Sequence, residues 1–193
     1  MTRGFDLVVV GGSAGAIDAL RAILSRLPVG FSSAVAVVIH IPAEGPSLLP
    51  QVLATPGAPP MKVAEDKEPI APGTIYFAPP DYHLLVESGR TFALSLDARV
   101  HFSRPAIDVL FESAAAAYGD RLVGVILSGG NSDGAQGLRA IADAGGMTFV
   151  QSLESSEMVA MPAAALQAAP DSIELDAAGL AELLRRGGEV QSG

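Results

Sequence analysis

Short apolar runs alternate along the chain with segments in which apolar residues recur every three or four positions. Val8, Val9 and Val10 form a β-branched run too apolar for an exposed loop, and Ile17, Leu20, Ile23, Leu24 and Leu27 follow at helical spacing. The pattern predicts a first strand, a glycine-rich turn and a helix over residues 14–27 that Pro28 and Gly30 close. A second strand over 33–39 delivers His40, after which Ile41-Pro42 turns the chain away from the sheet. A short helix over 47–53, a proline-rich loop over 54–60 and two short strands over 61–64 and 74–78 come next. Residues 84–86 and 91–96, on either side of Ser88-Gly89, read as an antiparallel hairpin at the edge of the main sheet. Pro105 opens an amphipathic helix carrying Ile107, Leu110, Phe111 and Ala114, and residues 122–127 form a central strand. A helix over 177–185 and a polar tail after Gly187 close the chain. Strands alternating with helices imply an α/β fold, a doubly wound and mainly parallel sheet covered by helices on both faces, with one antiparallel hairpin.

Composition narrows the function classes. A chain of 193 residues with 49% hydrophobic content can bury one substantial core, so residues 1–193 read as a single domain. Twelve Lys and Arg stand against 21 Asp and Glu, a net charge of −9, and no basic run is long enough to track phosphates, which excludes nucleic acid as a partner. The absence of cysteine excludes disulfides, thiolate metal sites and cysteine nucleophiles, leaving serine, histidine and carboxylates to carry chemistry. Arg3 and the apolar run behind it imitate a signal peptide, but Asp6 interrupts the run and the Gly-Ser turn ends it. No apolar run approaches the roughly 20 residues of a membrane helix. The expectation is a cytoplasmic protein without direct membrane insertion.

Two glycine-rich turns hold the candidate chemistry. Gly11 to Gly15 read G-x-S-x-G, a pattern in which a strained strand-to-helix turn pushes the Ser13 hydroxyl out above the sheet. The same turn aims free N–H groups of a helix start outward, where they hold an oxyanion as readily as a phosphate. A dinucleotide loop would need glycine at Val10 and an acid where His40 stands. A third reading makes Ser13 a helix N-cap. In the second turn, SGGNSDGAQGL, Asp133 is either another cap or a working carboxylate. Convergence favours work: the carboxyl ends of parallel strands share one rim, and Ser13, His40 and Asp133 each follow a strand end. They are the parts of a nucleophile, its general base and the carboxylate that fixes the imidazole tautomer, in an order unlike that of the α/β-hydrolases. His83 and His101 read as structural or surface residues. No cluster of histidines and carboxylates shows metal-ligand spacing, so neither metal nor cofactor is expected.

The motifs GGSAGAIDAL, HIP, YFAPPDYHL, RPAIDVLFESAA, ILSGGNSDGAQGL and GGMTFVQSLESSEMVAMPAAAL, in this order over nearly the whole chain, resemble those of the CheB family, the chemotaxis protein-glutamate methylesterases. The resemblance implies the same fold as a three-layer α/β/α sandwich. It also implies hydrolysis of γ-glutamyl methyl esters on the cytoplasmic domain of methylated chemoreceptors, with release of methanol, and in many members deamidation of receptor glutamines. It places the nucleophile at Ser13, the base at His40, the aspartate at Asp133 and the oxyanion donors at the backbone N–H groups of Ala14 and Gly130. The chain departs from the family pattern at Ala14, where threonine is usual, at Gly130, where methionine is, and at Ala16 and Asn131, where glycine is. The changes at Ala14, Gly130 and Asn131 motivate an alternative, a catalytically weak interaction module of a chemosensory array. Without the receiver domain of the best-known members, the expectation is a stand-alone esterase, or one regulated through a separate regulatory protein.

Overall fold

The structure is a computed structural model that describes residues 4–40 and 47–187; the Ile41-Pro42 turn and the tail beyond Gly187 lie outside these. Strand β1 (Leu7–Gly12) leads into helix α1 (Ala16–Leu24), and β2 (Ala34–Ile39), the short helix α2 (Leu49–Leu53), β3 (Met61–Val63) and β4 (Ile75–Phe77) follow. An antiparallel pair, β5 (His83–Val86) and β6 (Phe92–Ser95), precedes α3 (Ile107–Tyr118). The second half runs β7 (Leu122–Ile126), α4 (Ala135–Asp143), β8 (Met147–Gln151), α5 (Ala160–Ala168), β9 (Ile173–Leu175) and α6 (Ala177–Arg185).

Seven strands form one sheet in the order β3-β4-β2-β1-β7-β8-β9, and every neighbouring pair is parallel. β1 lies at its centre with all six residues buried, as expected of a strand covered on both faces. The two-residue period of a strand sorts its side chains: Leu7 and Val9 pack with α3, α4 and α5, while Val8 and Val10 pack with α1 and α6. The result is a three-layer α/β/α sandwich. The hairpin does not extend the main sheet, as the sequence suggests, but is a separate two-stranded sheet. Its buried Leu84, Val86 and Phe92 join the core that α3 closes, and the Val86 N–H donates to the Ser113 hydroxyl at 3.0 Å. Helix α1 starts two residues later than its periodicity implies, because Gly15 adopts a left-handed backbone (φ 77°).

This topology sets the site. After β1 the chain crosses through α1 on one face to reach β2, and after β7 it crosses through α4 on the other face to reach β8. The loops leaving β1 and β7 therefore diverge, and such a switch point is where sheets of this kind place their ligand crevice. Helices α3 and α4 approach closely beneath it: a Cβ at Gly137 would lie 2.4 Å from the Cβ of Phe111 and 3.2 Å from the Cα of Asp108. Since such contacts force one helix to shift, Gly137→Ala is expected to cost about 2 kcal/mol and to lower the Tm by roughly 4–8 °C in thermal unfolding. An unchanged Tm would show that the two helices separate freely.

Candidate active site

Strand pairing brings the first two site residues together. Gly12 of β1 pairs with Ile39 of β2, so the next residues, Ser13 and His40, leave adjacent strand ends, and the His40 N–H donates to the Gly12 carbonyl at 3.1 Å. On the other side the Ser13 N–H donates to the Ser128 carbonyl at 2.9 Å, just beyond β7. Ser13 is thus clamped between β2 and β7. Its hydroxyl makes no hydrogen bond among the described residues, and the N-cap of α1 is Gly15, so Ser13 does not cap the helix. Nor is Ser13 a strained elbow: Gly15, not Ser13, takes the left-handed backbone, and any Cβ there would meet Glu157 and Ser128 within 2.8 Å.

Asp133 is fully buried, and its own helix, α4, is capped by Gly134 instead. The carboxylate reaches across to other elements. Oδ2 lies 2.8 Å from His40 Nε2 and accepts the Ile107 N–H at 2.7 Å, while Oδ1 accepts the Asp108 N–H at 3.0 Å. Ile107 and Asp108 open α3, so two unpaired amides at the positive end of a helix converge on one carboxylate. Burial alone would raise the carboxyl's pKa, but the hydrogen bonds from His40, Asp108 and Ile107 outweigh it and hold it below the usual 3.8. An ionised Asp133 only accepts, so His40 donates from Nε2, and Nδ1 is left as the basic nitrogen. The imidazole is largely enclosed, its side chain 12% exposed.

The two remaining expectations are backbone groups. The N–H groups of Ala14 and Gly130 donate to nothing among the described residues, and both residues are exposed. The turn holding Gly130 is fixed at Gly129, whose N–H donates to Met158 O at 3.1 Å and whose carbonyl accepts from Met161 at 2.9 Å.

Sequence reasoning missed the residues that tie these turns together. Ser128, fully buried, donates its hydroxyl to the Ala14 carbonyl at 2.8 Å and accepts the Met158 N–H at 2.8 Å. Its own N–H donates to Gln151 Oε1 at 2.9 Å, and Gln151 Nε2 donates to the Ser155 carbonyl at 2.9 Å. The signal was a polar residue ending each of two apolar strands, where a buried polar group must find partners. His83 is buried; its Nδ1 accepts the Ala106 N–H at 3.2 Å and its Nε2 faces the Ala98 carbonyl at 3.0 Å, so it pins the approach to α3. His101 reaches Asp108 Oδ2 at 3.0 Å. His101, Asp108 and Asp133 therefore gather ligand atoms within 4.8 Å of one another, a cluster that sequence spacing did not reveal. Every carboxylate oxygen in it already accepts a hydrogen bond, from Ile107, Asp108, Gly137, His40 or His101, so the donor set is spent on the protein.

The family model for the CheB methylesterase matches residues 8–184. A Leptospira interrogans protein named as a protein-glutamate methylesterase/protein-glutamine glutaminase is 44% identical over 182 residues, covering 94% of each chain. Protein-glutamate methylesterase/protein-glutamine glutaminase 4 of Myxococcus xanthus is 40% identical over 156 residues, covering 81% of this chain and 44% of that one. The crystal structure of the Thermotoga maritima CheB methylesterase catalytic domain superposes with a TM-score of 0.87 at 30% identity, covering 94% of this chain and 98% of that one.

The lowered pKa of Asp133 fixes the sign of a stability effect. Its contribution is complete above the unfolded-state value and is lost as pH falls through the lower folded one. Asp133→Asn is expected to be less stable than the wild type at pH 7, with the deficit shrinking as the pH drops below 3.8 in urea unfolding at a series of pH values. A deficit independent of pH would remove the ionised carboxylate from this account.

Proposed function

The chain belongs to the CheB methylesterase family, and from that membership and the geometry of its crevice we propose that it is a serine esterase acting on γ-glutamyl methyl esters of chemoreceptor-like proteins, with release of methanol. The observation that carries this reading is the 2.8 Å contact between His40 Nε2 and the buried Asp133, one strand away from a serine whose hydroxyl is committed to nothing else. Ser13 Oγ attacks the ester carbonyl while His40 Nδ1 takes its proton, and Asp133 stabilises the imidazolium that forms. The negative oxygen of the tetrahedral intermediate sits against the N–H groups of Ala14 and Gly130, a donor pair of the kind worth about 10² to 10³ in rate per member. Methanol leaves with the proton held by His40, and water repeats the cycle on the acyl-enzyme to free the glutamate. A glutamine side chain enters the same cycle with ammonia as leaving group, which accounts for the glutaminase half of the relatives' names. The substrate is the cytoplasmic domain of a methylated receptor, and the protein works in the cytoplasm; no helix among the described residues is long and apolar enough to cross a membrane.

Methanol release from carboxyl-methylated receptor fragments tests this reading. Ser13→Ala is expected to abolish release, and Asp133→Asn, which leaves the imidazole in the wrong tautomer, to lower kcat by about 10⁴. The wild-type rate is expected to fall towards acid pH, because a His40 that already carries a proton on both nitrogens cannot take the one from Ser13. A wild type that labels at Ser13 with a fluorophosphonate but releases no methanol would be a hydrolase of another substrate, and one that does neither would leave the interaction module as the surviving reading.

A further inference from the structure

Behind Asp133 lies a second carboxylate that the hydrolytic cycle does not use. Asp108 is 4% exposed, accepts the Gly137 N–H at 2.7 Å through Oδ1, and faces His101 Nε2 at 3.0 Å through Oδ2. Gly137 belongs to the first turn of α4, the helix that follows Asp133, while Asp133 accepts the N–H groups that open the helix carrying Asp108. Each aspartate therefore satisfies the start of the other's helix.

We propose that Asp108 and His101 are positioning residues for the catalytic pair: Asp108 holds Asp133 in place and adds negative charge behind it, and His101 sets how much of that charge His40 experiences. This rests on the triad proposed above.

Three observations support it. An asparagine carbonyl at 108 would accept from Gly137 as well as a carboxylate does, so the capping role alone does not call for a charge. The charge is unfavourable where it sits: burial raises the Asp108 pKa and the neighbouring Asp133 adds to the rise, which the Gly137 hydrogen bond and the contact with His101 oppose without cancelling. A destabilising charge beside a reacting group is the pattern of a site tuned for chemistry. The third observation is the turn that presents His101. Val100 and Ser103 exchange backbone hydrogen bonds of 3.1 and 2.9 Å, and the two residues between them, His101 and Phe102, both have left-handed backbones (φ 48° and 62°). Such turns favour Asn-Gly, because a side chain with a left-handed backbone is strained. Phe102 is 97% exposed, so its packing does not offset that strain, and the hydrogen bond made by the turn's other residue runs to Asp108.

Among the described residues, few groups face the pair. Asp133 approaches from the loop after β7, His40 through Asp133, and the Gly137 N–H from α4. Glu112, one turn along α3, has its carboxyl pushed up by burial and by the charges of Asp108 and Asp133. His83 faces the backbone of Ala98 and Ala106.

Removing the Asp108 charge weakens stabilisation of the His40 imidazolium, whereas removing His101 frees Asp108 Oδ2 from a hydrogen bond that draws its charge away from Asp133. The two changes should move the acid limb of reactivity in opposite directions. The experiment is the rate of Ser13 labelling by a fluorophosphonate probe against pH in the wild type, Asp108→Asn, His101→Gln and Ser13→Ala. For Asp108→Asn the limb is expected to move to lower pH by on the order of half a unit, with the plateau rate down roughly three- to tenfold. Its Tm at pH 7 should be no lower than that of the wild type. For His101→Gln, at an exposed position, the limb is expected at higher pH. Limbs that coincide with the wild type, or that move the same way with a loss of Tm, would overturn the proposal and reduce the pair to a cap. Labelling of Ser13→Ala as fast as the wild type, or no labelling of the wild type, would instead bring down the triad itself and this inference with it.

Discussion

A carboxylate with no exposed surface has to be compensated, and the way Asp133 is compensated organises this molecule. Its oxygens take the first two amides of α3 and the imidazole of His40, so one side chain joins the end of β7, the start of α3 and the end of β2. A buried ion left without such partners is destabilising by several kcal/mol, which makes the arrangement all-or-none. Helix α3 can reach it only by lying directly on the central strand. Gly11 permits this, since a Cβ there would be 2.3 Å from Ile107 Cγ2. The glycine that reads as part of a nucleophile motif thus also seats the helix that holds the carboxylate.

The rest of the crevice hangs from the sheet by backbone bonds. Ser13 bonds to the strand end on one side through its N–H and is followed by a carbonyl, that of Ala14, bonded to the Ser128 hydroxyl. Because Ser128 and Gln151 consume their polar groups on neighbouring backbone, the two turns are held at a fixed separation while the N–H groups of Ala14 and Gly130 stay available. Preorganised donors of this kind need no rearrangement when charge develops, which is what gives them their value in catalysis.

Much of this was legible before any coordinates. Three consecutive valines, a glycine turn and a helical repeat can hardly be anything but the first βα unit of a parallel sheet, and the strand-end positions of Ser13, His40 and Asp133 follow from that topology. Strands β8 and β9 and helix α5 were not delimited, for local reasons: β8 begins Met-Thr after a Gly-Gly, β9 is three residues long, and α5 is mostly alanine, with too little contrast to show a period. The hairpin was recognised but misplaced, because what decides its packing is the apolar face of a helix twenty residues on. The His101–Asp108 pair lay beyond reach for a different reason. Its turn uses His-Phe where the local rule expects Asn-Gly, and its hydrogen bond is made across a loop rather than along an element.

The departures from the family pattern around the crevice can be weighed in the same terms. A side chain at Gly130 would meet only Met158 Cε at 3.7 Å, so its absence leaves space without disturbing the backbone that Gly129 anchors. Asn131 adds a bond that glycine could not supply: its Oδ1 accepts the Asp133 N–H at 3.0 Å, drawing the turn against the catalytic candidate. Ala14 contributes through its amide and its carbonyl, neither of which depends on the side chain, and Ala16 lies buried in the first turn of α1. The substitutions at Ala14 and Gly130 remove bulk, those at Ala16 and Asn131 add it, and the free N–H groups of Ala14 and Gly130 and the hydrogen bonds of Asp133 stand beside all four. An interaction module freed from catalysis would have no use for that restraint, since the costly parts of the site, the buried Asp133 and the unspent amides, are the parts that have been kept.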